Sequence, residues 1–401
     1  MKILVVCQYY HPEPFRIHEV CEELVRRGHE VTVLTGLPNY PMGIIPEEYK
    51  GRKHRDEVVN NVHIIRVKER PRTEGKAGLA INYVSFVFFG SLKALTMKKD
   101  FDVIFVYQLS PVLMAIPAYV AKWFAGTKKI GLYCLDLWPE SLTSMGIGRS
   151  SAFFRLMKFV SIRIYKGAKV IGLSSRQFEK YFTQELRIKD RRFIHIPQFA
   201  DELFSDIGSG NTISEKETVD YVFAGNVGKM QSAETIIRAA ALTSDDRIRW
   251  HIVGDGFALE DCRKLCEKLR VSDRVKFYGR LPVEEMPRFY DMADAMIVTL
   301  ADNDTISYTL PGKIQSYMAA GKPVIAAANG ETRAVIEDSG CGMCAPAEDE
   351  KAFAAVADKM AASSDRAVMG ERSRKYYNEH FTKKEHVDLI EEMLEGLRER
   401  R

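Results

Sequence analysis

The sequence lacks the features of several protein classes. It has only 7 cysteines in 401 residues, an odd and ordinary number that does not suggest a secreted disulfide scaffold. It contains no run of 18 uncharged apolar residues, so we expect no membrane-spanning helix. Its first residues lead directly into an apolar strand pattern, so we expect no signal peptide. These absences predict a soluble or peripheral protein of the cytosol.

Common catalytic motifs are also missing. The histidines show no H-E-x-x-H spacing, and no G-x-S-x-G nucleophile elbow is present. Cys341 and Cys344 have the spacing of zinc ligands, and Cys262 and Cys266 could complete a set of four. Glycines surround Cys341, and the other pair has a helical setting. We therefore interpret these cysteines as packing residues and expect no metal.

The charge is divided unevenly along the chain. Residues 1–200 contain 31 Lys and Arg against 18 Asp and Glu, whereas residues 201–401 contain 27 against 36. The positive first half predicts an anionic partner: a membrane surface, a nucleic acid or a phosphorylated substrate. The alternative is that the uneven distribution of charge between the two halves has no functional role.

Strand and helix patterns alternate in both halves of the sequence. Strands are predicted in the first half at 3–6, 31–34, 103–106, 130–134 and 170–173, with helices at 17–27 and 113–124. In the second half, strands are predicted at 221–224, 250–253, 275–278, 295–299 and 323–327. Helical patterns there cover 233–241, 259–269, 286–293, 313–320, 331–336 and 384–400. This alternation predicts an α/β fold with two doubly wound parallel sheets.

A polar stretch separates the two halves. Residues 205–218 are rich in Gly, Ser, Asn and Thr, and we interpret them as a linker. The predicted domains are therefore 1–204 and 219–375, followed by a terminal segment, 376–401. Ligands of such sheets bind beyond the carboxyl ends of the strands, so the loops that follow strands are the places to search.

Three loops of the second half are candidates for ligand binding. Gly225, Asn226, Gly228 and Lys229 follow its first strand and open a helix, which suits a phosphate, although the glycines do not form a G-x-G-x-x-G fingerprint. The turn Gly254-Asp255-Gly256 follows the next strand, and tight turns of this composition are often purely structural.

The third loop precedes a helix. Pro311 and Gly312 favour a helix start, and Lys313 and Ser316 lie in the first turn. Because a cation there opposes the helix dipole, Lys313 predicts an anionic ligand.

Loops of the first half carry polar and aromatic residues. Glu13 and Arg16 follow the first strand and could line a cleft or form a capping ion pair. Asn39 and Tyr40 follow the second strand in a turn-rich segment. The segment after the strand at 130–134 contains carboxylates and an indole that suit a sugar, or that belong to the core: Asp136, Trp138 and Glu140.

Seven segments in order resemble glycosyltransferase family 4, the retaining GT-B transferases. They are residues 8–13, 27–35, 38–41, 136–140, 224–228, 253–256 and 311–323. Within this family, the sequence is most similar to the bacterial N-acetyl-fucosamine and other amino-sugar transferases of O-antigen and capsule assembly. The resemblance implies two Rossmann-like domains facing a cleft, with the final helix crossing back to the first domain.

The resemblance also implies roles for individual residues. The second domain would bind a UDP-sugar, with Gly254–Gly256, Arg280 and Leu281 lining the base and ribose site. Lys229, Lys313 and, from the first domain, Arg16 would hold the diphosphate, so no metal or other cofactor is required. The first domain would bind the acceptor through Asn39, Tyr40, Asp136, Trp138 and Glu140, and Glu13 is a candidate proton acceptor.

The sequence departs from the family pattern at several positions. Many members have two glycines where Phe15 and Arg16 stand, and many have Arg and Lys where Asn226 and Gln231 stand. The usual two glutamates align with Tyr308 and Ser316, so the usual ribose carboxylate is missing.

Two segments of the first half suggest a membrane surface. Residues 79–97 are strongly apolar, and residues 149–169 interleave large apolar side chains with Arg and Lys. Such segments suit an interfacial helix, although core helices would explain the apolar residues equally well. Because the basic residues lie among apolar ones, we expect no nucleic-acid groove.

These features and the family resemblance together predict a hexosyltransferase of bacterial surface polysaccharide assembly. It would move a sugar from a UDP-sugar to a polyprenyl-diphosphate-linked or other lipid-linked acceptor on the inner face of the cytoplasmic membrane. The resemblance implies that the reaction proceeds with retention and that the sugar is an N-acetylated amino sugar. A UDP-sugar epimerase of the same fold and a non-catalytic scaffold that binds a nucleotide sugar or a lipid are the alternatives.

Overall fold

A computed structural model of the protein describes all residues except 52, 74, 98–99, 125–128, 206, 208–216 and 400–401. The chain divides into two units: unit 1 is Met1–Ile196 with Val387–Arg401, and unit 2 is Pro197–His386. Most of the expected linker, 205–218, lies outside the described residues. The boundary between the units falls at Ile196, earlier than the sequence suggested.

Unit 1 contains an eight-stranded sheet. Its strands are β1 (Lys2–Val6), β2 (Glu30–Thr35), β3 (Asp56–Val59), β4 (Val62–Arg66), β5 (Val103–Gln108), β6 (Ile130–Cys134), β7 (Val170–Leu173) and β8 (Arg192–His195). The order is β3-β4-β2-β1-β5-β6-β7-β8, and only β3 pairs antiparallel. The central strands β1, β5 and β6 are apolar and buried along nearly their whole length, as expected of a parallel sheet covered on both faces.

Helices cover both faces of this sheet. They are α1 (Ile17–Arg26), α2 (Gly75–Thr96), α3 (Ile116–Phe124), α4 (Ser141–Ser144), α5 (Ala152–Gly167) and α6 (Phe178–Lys180). The connections from β4 to β5, β5 to β6 and β6 to β7 all advance in the same direction along the sheet. Right-handed crossovers therefore place α2, α3 and α5 on the same face.

Close contacts join these three helices. A β-carbon at Gly90 of α2 would lie 2.9 Å from Cγ of Pro117 in α3, so the missing side chain lets the two helices approach. The Tyr119 hydroxyl of α3 donates a hydrogen bond to the carbonyl oxygen of Ile164 in α5. We call α2, α3 and α5 the helical layer of unit 1.

Unit 2 contains a six-stranded parallel sheet. Its strands are β9 (Val219–Ala224), β10 (Ile248–Val253), β11 (Val275–Gly279), β12 (Ala295–Thr299), β13 (Val324–Ala327) and β14 (Gly342–Ala345). The order is β11-β10-β9-β12-β13-β14. Its helices are α7 (Glu234–Ala240), α8 (Leu259–Leu269), α9 (Met286–Met292), α10 (Asp304–Ser307), α11 (Lys313–Ala319), α12 (Gly330–Ser339), α13 (Glu350–Ala362) and α14 (Arg366–His380).

The last helix, α15 (Lys383–Glu399), begins in unit 2 and ends in unit 1. Its apolar side packs on the sheet of unit 1, where Leu397 and Met393 lie against Gly131. Its polar side pairs with unit 1 through Glu391, which accepts hydrogen bonds from Arg27 and His29. Arg400, at the end of the predicted helix, lies outside the described residues.

The predicted α/β fold with two doubly wound sheets is confirmed. Each predicted strand is present within two residues of its expected bounds. The sequence missed β3, β4, β8 and β14, which are short strands at or next to a sheet edge. It also missed α13 and α14. Cys341 and Cys344, considered above as zinc ligands, lie beside and within β14.

One helix differs from the membrane prediction. By length and composition α2 could cross a membrane, and only 22% of its most apolar window is buried within the protein. The sequence criterion therefore missed α2 as a candidate by length and composition. Lys76 and Lys93 interrupt the apolar run of α2, and the criterion counted only uncharged runs.

Candidate functional site

A cavity of about 450 Å³ lies in unit 2 at the carboxyl ends of β9 and β10. Its lining residues are Gly225, Asn226, Val253, Gly254, Asp255, Gly256, Arg280, Leu281 and Met286. The structure thus brings together most of the residues predicted to bind the donor. Its position beyond the strand ends is where open α/β sheets bind ligands.

The floor of this cavity depends on a close approach of two loops. A β-carbon at Gly254 would lie only 1.8 Å from the carbonyl oxygen of Gly225, and Gly254 has a φ of +142°. The loops are held by hydrogen bonds from the Gly225 amide to Val253 and from the Val227 amide to Asp255. Only glycine fits at Gly254 without moving the backbone.

Lys313 lies beside this cavity. It is the first residue of α11, and its ammonium nitrogen would be 3.4 Å from a β-carbon at Gly225. One turn later, the Tyr317 hydroxyl donates to the carbonyl oxygen of Ala224 and accepts from its amide, both at 3.1 Å. Lys313 and Tyr317 therefore fix the start of α11 against the end of β9.

The ammonium group of Lys313 is buried, and no hydrogen-bond partner for it exists among the described residues. Its nearest favourable contact is the face of Phe223, with 3.7 Å between Nζ and the ring centre. Burial lowers the pKa of Lys313 to about 7, because a desolvated ammonium is disfavoured without a counterion. An anion at the carboxyl end of β9 would supply that counterion.

Lys229 is located differently from the expectation. Lys229 and Gly228 line a second cavity, of about 340 Å³, together with Arg238 and Phe257. The short 3₁₀ turn Lys229–Gln231 ends at Ser232, which has left-handed backbone angles. The structure therefore does not bring Lys229 into the cavity beside Lys313.

The residues that depart from the family pattern have local partners. The Asn226 side-chain amide donates to Gln231 at 3.1 Å, so these two polar residues stabilise their own loop. Tyr308 directly follows α10. Ser316 lies in the first turn of α11, where its hydroxyl points to the carbonyl oxygen of Gly312 at 3.5 Å. Pro311, Gly312 and Ser316 are near Lys313 in sequence but are not in the cavity lining.

In unit 1, a buried polar network that the sequence did not reveal lies beyond the ends of β1 and β4. The Gln8 side-chain amide donates to Glu69 at 2.6 Å and to Asn82 at 3.0 Å, and Asn82 donates to Glu69 at 2.7 Å. Burial raises the pKa of Glu69 well above its ordinary value. These residues are far apart in sequence, so only the fold brings them together.

Glu13 is buried next to this network. Its carboxylate accepts hydrogen bonds from the backbone amides of Tyr10, Asn39 and Tyr40. Burial raises its pKa to about 7, and the three amides only partly oppose that rise. Glu13 therefore connects the loops after β1 and β2. Arg16 pairs with Glu19 at 3.0 Å.

An aromatic group surrounds the loop after β2. The Tyr40 ring packs against Phe15 and Tyr9, with ring centres 5.0 and 5.5 Å away, and the Arg72 guanidinium lies 5.1 Å from its centre. Tyr40 is partly exposed, whereas Asn39 is buried. The Asn39 side chain accepts from the Arg72 amide at 3.0 Å, which makes it a structural element of this loop.

Residues 136–140, which follow β6, mostly contact other residues of unit 1. The Trp138 indole is buried and donates to the Ser110 hydroxyl at 2.9 Å. Glu140 is buried and pairs with Arg149 at 2.9 Å. Asp136 is partly exposed, and burial raises its pKa although Ser110 hydrogen bonds oppose the rise. Among these three residues, only Asp136 presents surface to a ligand.

No group of three or more His, Cys, Asp and Glu side chains that could hold a metal occurs in the described part of the chain. Its seven cysteines are all free thiols, and only Cys344 has appreciable exposure.

Two family models match the chain, one for each unit. Residues 15–197 match the model described as "Glycosyl transferase 4-like domain", and residues 210–376 match the model described as "Glycosyl transferases group 1".

Curated relatives carry related names. WbjE of Pseudomonas aeruginosa, named as a probable glycosyltransferase, is 26% identical over 292 residues, which are 71% of this chain and 71% of WbjE. WcaI of Escherichia coli K12, named as a putative glycosyl transferase of colanic acid biosynthesis, is 23% identical over 83% of this chain and 84% of WcaI.

Solved structures share the fold. The structure of Anabaena HepE in complex with UDP superposes with a TM-score of 0.74 at 14% identity, covering 99% of this chain and 100% of HepE. Together with the two parallel α/β sheets, such similarity confirms the predicted GT-B fold.

Proposed function

Because its units carry a glycosyl transferase 4-like domain and a group 1 glycosyl transferase domain, we propose that this protein transfers a sugar from a UDP-sugar to a lipid-linked acceptor. The proposed setting is the assembly of a bacterial surface polysaccharide, at the inner face of the cytoplasmic membrane. WcaI, a relative over most of the chain, is named for the biosynthesis of one such polysaccharide, colanic acid.

The observation that carries the proposal is the buried ammonium group of Lys313. It lies beside a cavity at the ends of β9 and β10 and has no hydrogen-bond partner among the described residues. A diphosphate is the ligand that this arrangement suits, because it would supply the missing negative charge. HepE, which shares the fold, was crystallised with UDP.

Lys313 would then act on the leaving group. Cleavage of the bond between the sugar and the diphosphate leaves negative charge on the phosphate oxygens, and a cation in a desolvated site stabilises that charge strongly. Such a cation can take the place of a metal ion, so we propose a metal-independent reaction. Retention at the sugar and the hexosyltransferase class remain part of this proposal through the family resemblance.

The cavity would bind the nucleoside. Gly254 and Gly256 present backbone groups without side chains, and Arg280 and Leu281 provide a polar and an apolar wall. We propose that these residues contact the uracil and the ribose, without the glutamates usual in the family. Lys229 lies in the wall of the second cavity, so Lys313 is the first candidate for the diphosphate.

The acceptor would bind to unit 1. Tyr40 and Asp136 are partly exposed. An aromatic ring and a carboxylate suit the apolar face and the hydroxyls of a sugar. The amino-sugar identity of the donor rests on the subgroup resemblance alone.

Calorimetric titration of the purified protein with UDP, GDP and ADP, with and without EDTA, tests the proposal. We expect binding that is selective for UDP and insensitive to EDTA. The K313M variant is expected to bind UDP at least about 10-fold more weakly, since a charged contact in a buried site contributes at least that much. The K229M variant serves as the matched control and is expected to keep most of its affinity.

Turnover assays then separate the alternatives. UDP release that requires a lipid-linked acceptor supports the transferase. Interconversion of UDP-sugars without an acceptor would indicate an epimerase, and UDP binding without any turnover would indicate a scaffold. Failure to bind any nucleotide would overturn the proposal.

A further inference from the structure

The outward face of α2 is apolar from Ile81 to Leu95. Its exposed large side chains recur at spacings of three and four residues: Ile81, Val84, Phe88, Leu92 and Leu95. The residues buried against the rest of unit 1 lie on the opposite side of the helix and are mostly small or polar: Gly78, Asn82, Phe86, Gly90 and Ala94. The helix therefore has its larger apolar side chains outside, the reverse of an ordinary surface helix.

The other two helices of the helical layer continue this surface. Trp123 and Phe124 are exposed at the end of α3, with Trp123 at 84% of its maximal exposure. Phe153, Leu156 and Phe159 are exposed on α5, while Phe154 and Met157 of the same helix are buried. Soluble monomers rarely expose a contiguous apolar surface of this extent.

The charge of the layer is of one sign. The sequences of α2, α3 and α5 contain no Asp or Glu. Their cations are Lys76, Lys93, Lys122, Arg155, Lys158, Arg163 and Lys166. A basic surface with exposed aromatic and aliphatic side chains complements the anionic surface of a bilayer.

The topology excludes a simple transmembrane arrangement for α2. The helix connects β4 to β5, and both strands belong to the same hydrogen-bonded sheet. Asn82, on its buried side, donates to Glu69 at 2.7 Å. A spanning α2 would carry this sheet and its polar network into the hydrocarbon, where unsatisfied polar groups are costly. An orientation parallel to the membrane plane has no such cost.

We propose that the outward face of α2, α3 and α5 is a monotopic docking surface that inserts into the interface of an anionic lipid bilayer. The inference deepens the proposed function, because it names the surface through which the protein reaches an acceptor held in a membrane. It does not depend on nucleotide binding, which we propose for unit 2.

Trp123 offers a direct probe of this surface. The other two tryptophans, Trp138 and Trp250, are 4% and 0% exposed, so a change in emission on docking reports Trp123. Vesicles of phosphatidylcholine alone are compared with vesicles containing 30 mol% phosphatidylglycerol. We expect a blue shift and quenching by brominated acyl chains with the anionic vesicles only, and neither effect in W123F.

Flotation with the same vesicles tests the contributions of apolar area and charge. The V84Q/F88Q/L92Q variant and the R155E/R163E variant are each expected to lower the bound-to-free ratio at least about 10-fold. The matched controls replace exposed residues outside the layer: V58Q/L242Q/V368Q for the apolar set and K264E/K268E for the charges. UDP affinity is measured for every variant and should not change, which separates failure of docking from failure of the proposed function.

Three results would overturn the proposal. The first is unchanged flotation of both layer variants. The second is a dimer of the wild type that V84Q/F88Q/L92Q converts to a monomer, because a second copy would then cover this face. The third is resistance of membrane-bound protein to extraction at alkaline pH, which would indicate that α2 spans the bilayer.

Discussion

The ammonium nitrogen of Lys313 lies 3.7 Å from the centre of the Phe223 ring. A cation–π contact of this kind contributes on the order of 1 to 2 kcal/mol. That is less than the cost of burying an unpaired ammonium, so burial lowers the pKa of Lys313 to about 7. Without a ligand, Lys313 therefore loses its proton near neutral pH, and a bound diphosphate would favour the protonated form.

UDP binding should therefore take up a proton. Above pH 7 most Lys313 side chains of the free protein are neutral, and the bound diphosphate favours the charged form. We expect uptake approaching one proton at pH 8, little uptake below pH 6, and an affinity that falls by up to about 10-fold per pH unit above pH 7. Calorimetry at pH 8 in two buffers of different ionisation enthalpy measures the uptake.

The K313M variant should bind UDP weakly without proton uptake, whereas K229M should retain the uptake. Equal uptake in the wild type and K313M would assign the proton to another group.

Replacing Lys313 should also change stability with a defined pH dependence. Between pH 7 and about 10.5 the unfolded chain binds a proton at this lysine that the folded chain does not. The contribution of Lys313 to stability therefore rises with pH in that window and is least favourable below pH 7. We expect K313M to melt at a higher temperature than the wild type at pH 6, with the difference shrinking toward pH 9. An exposed-site variant, K229M, should show no such trend in differential scanning calorimetry.

The sheets were predictable from the sequence because their central strands are short apolar runs buried on both faces. β9 and β12, for example, are buried at every position. Such strands appear in the sequence as short, nearly continuous runs of apolar residues. β3 and β14 are short strands at sheet edges and have no comparable pattern. The helix α14 has little amphipathic character in its sequence, RAVMGERSRKYYNEH, so helical periodicity could not reveal it.

The candidate site was only partly predictable. Lys313 was identified because a cation in a first helical turn is unusual, and the glycine loops because they follow strands. The positions of Trp138 and Glu140 depend on Ser110 and Arg149, partners that no local pattern indicates. The link between Gln8 and Glu69 joins loops 61 residues apart in sequence. The family resemblance implies that Lys229 lies beside Lys313, and no sequence pattern indicates that the 3₁₀ turn Lys229–Gln231 places this lysine in the wall of a second cavity.

Replacing Gly254 by alanine should disrupt the cavity in unit 2. The added β-carbon would lie 1.8 Å from the Gly225 carbonyl oxygen, and a φ of +142° is rarely adopted by other residues. We expect a stability loss of at least about 1 to 3 kcal/mol, in line with the cost of such backbone conformations, and loss of UDP binding. Chemical denaturation measures the first effect and calorimetry the second.

Gly312 provides the matched control for this change. Nothing lies within 4 Å of a β-carbon at Gly312, and its φ is −57°, so G312A should unfold at nearly the same denaturant concentration as the wild type. Equal stability of G254A and G312A would show that the two loops can separate at little cost.

Glu13 can be tested as the proton acceptor through the pH dependence of turnover. Burial raises its pKa to about 7, which is near the value that suits a general base at neutral pH. At saturating donor, where bound diphosphate keeps Lys313 charged, we expect kcat to rise with pH through about 7 as Glu13 ionises. The E13Q variant should lose this rise and most of its kcat, by at least about 100-fold, the usual contribution of a general base.

A purely structural role for Glu13 would give a different result. Its carboxylate accepts backbone amides from the loops after β1 and β2, and a glutamine has only one oxygen to replace both carboxylate oxygens. Loosening of these loops would raise KM for the acceptor but leave the pH profile of kcat unchanged. The Q8A variant, which disturbs the neighbouring network without touching the Glu13 carboxylate, is the control for such loosening. If E13Q and Q8A show the same moderate loss and keep the wild-type pH profile, Glu13 positions the loops and the proton acceptor is another group.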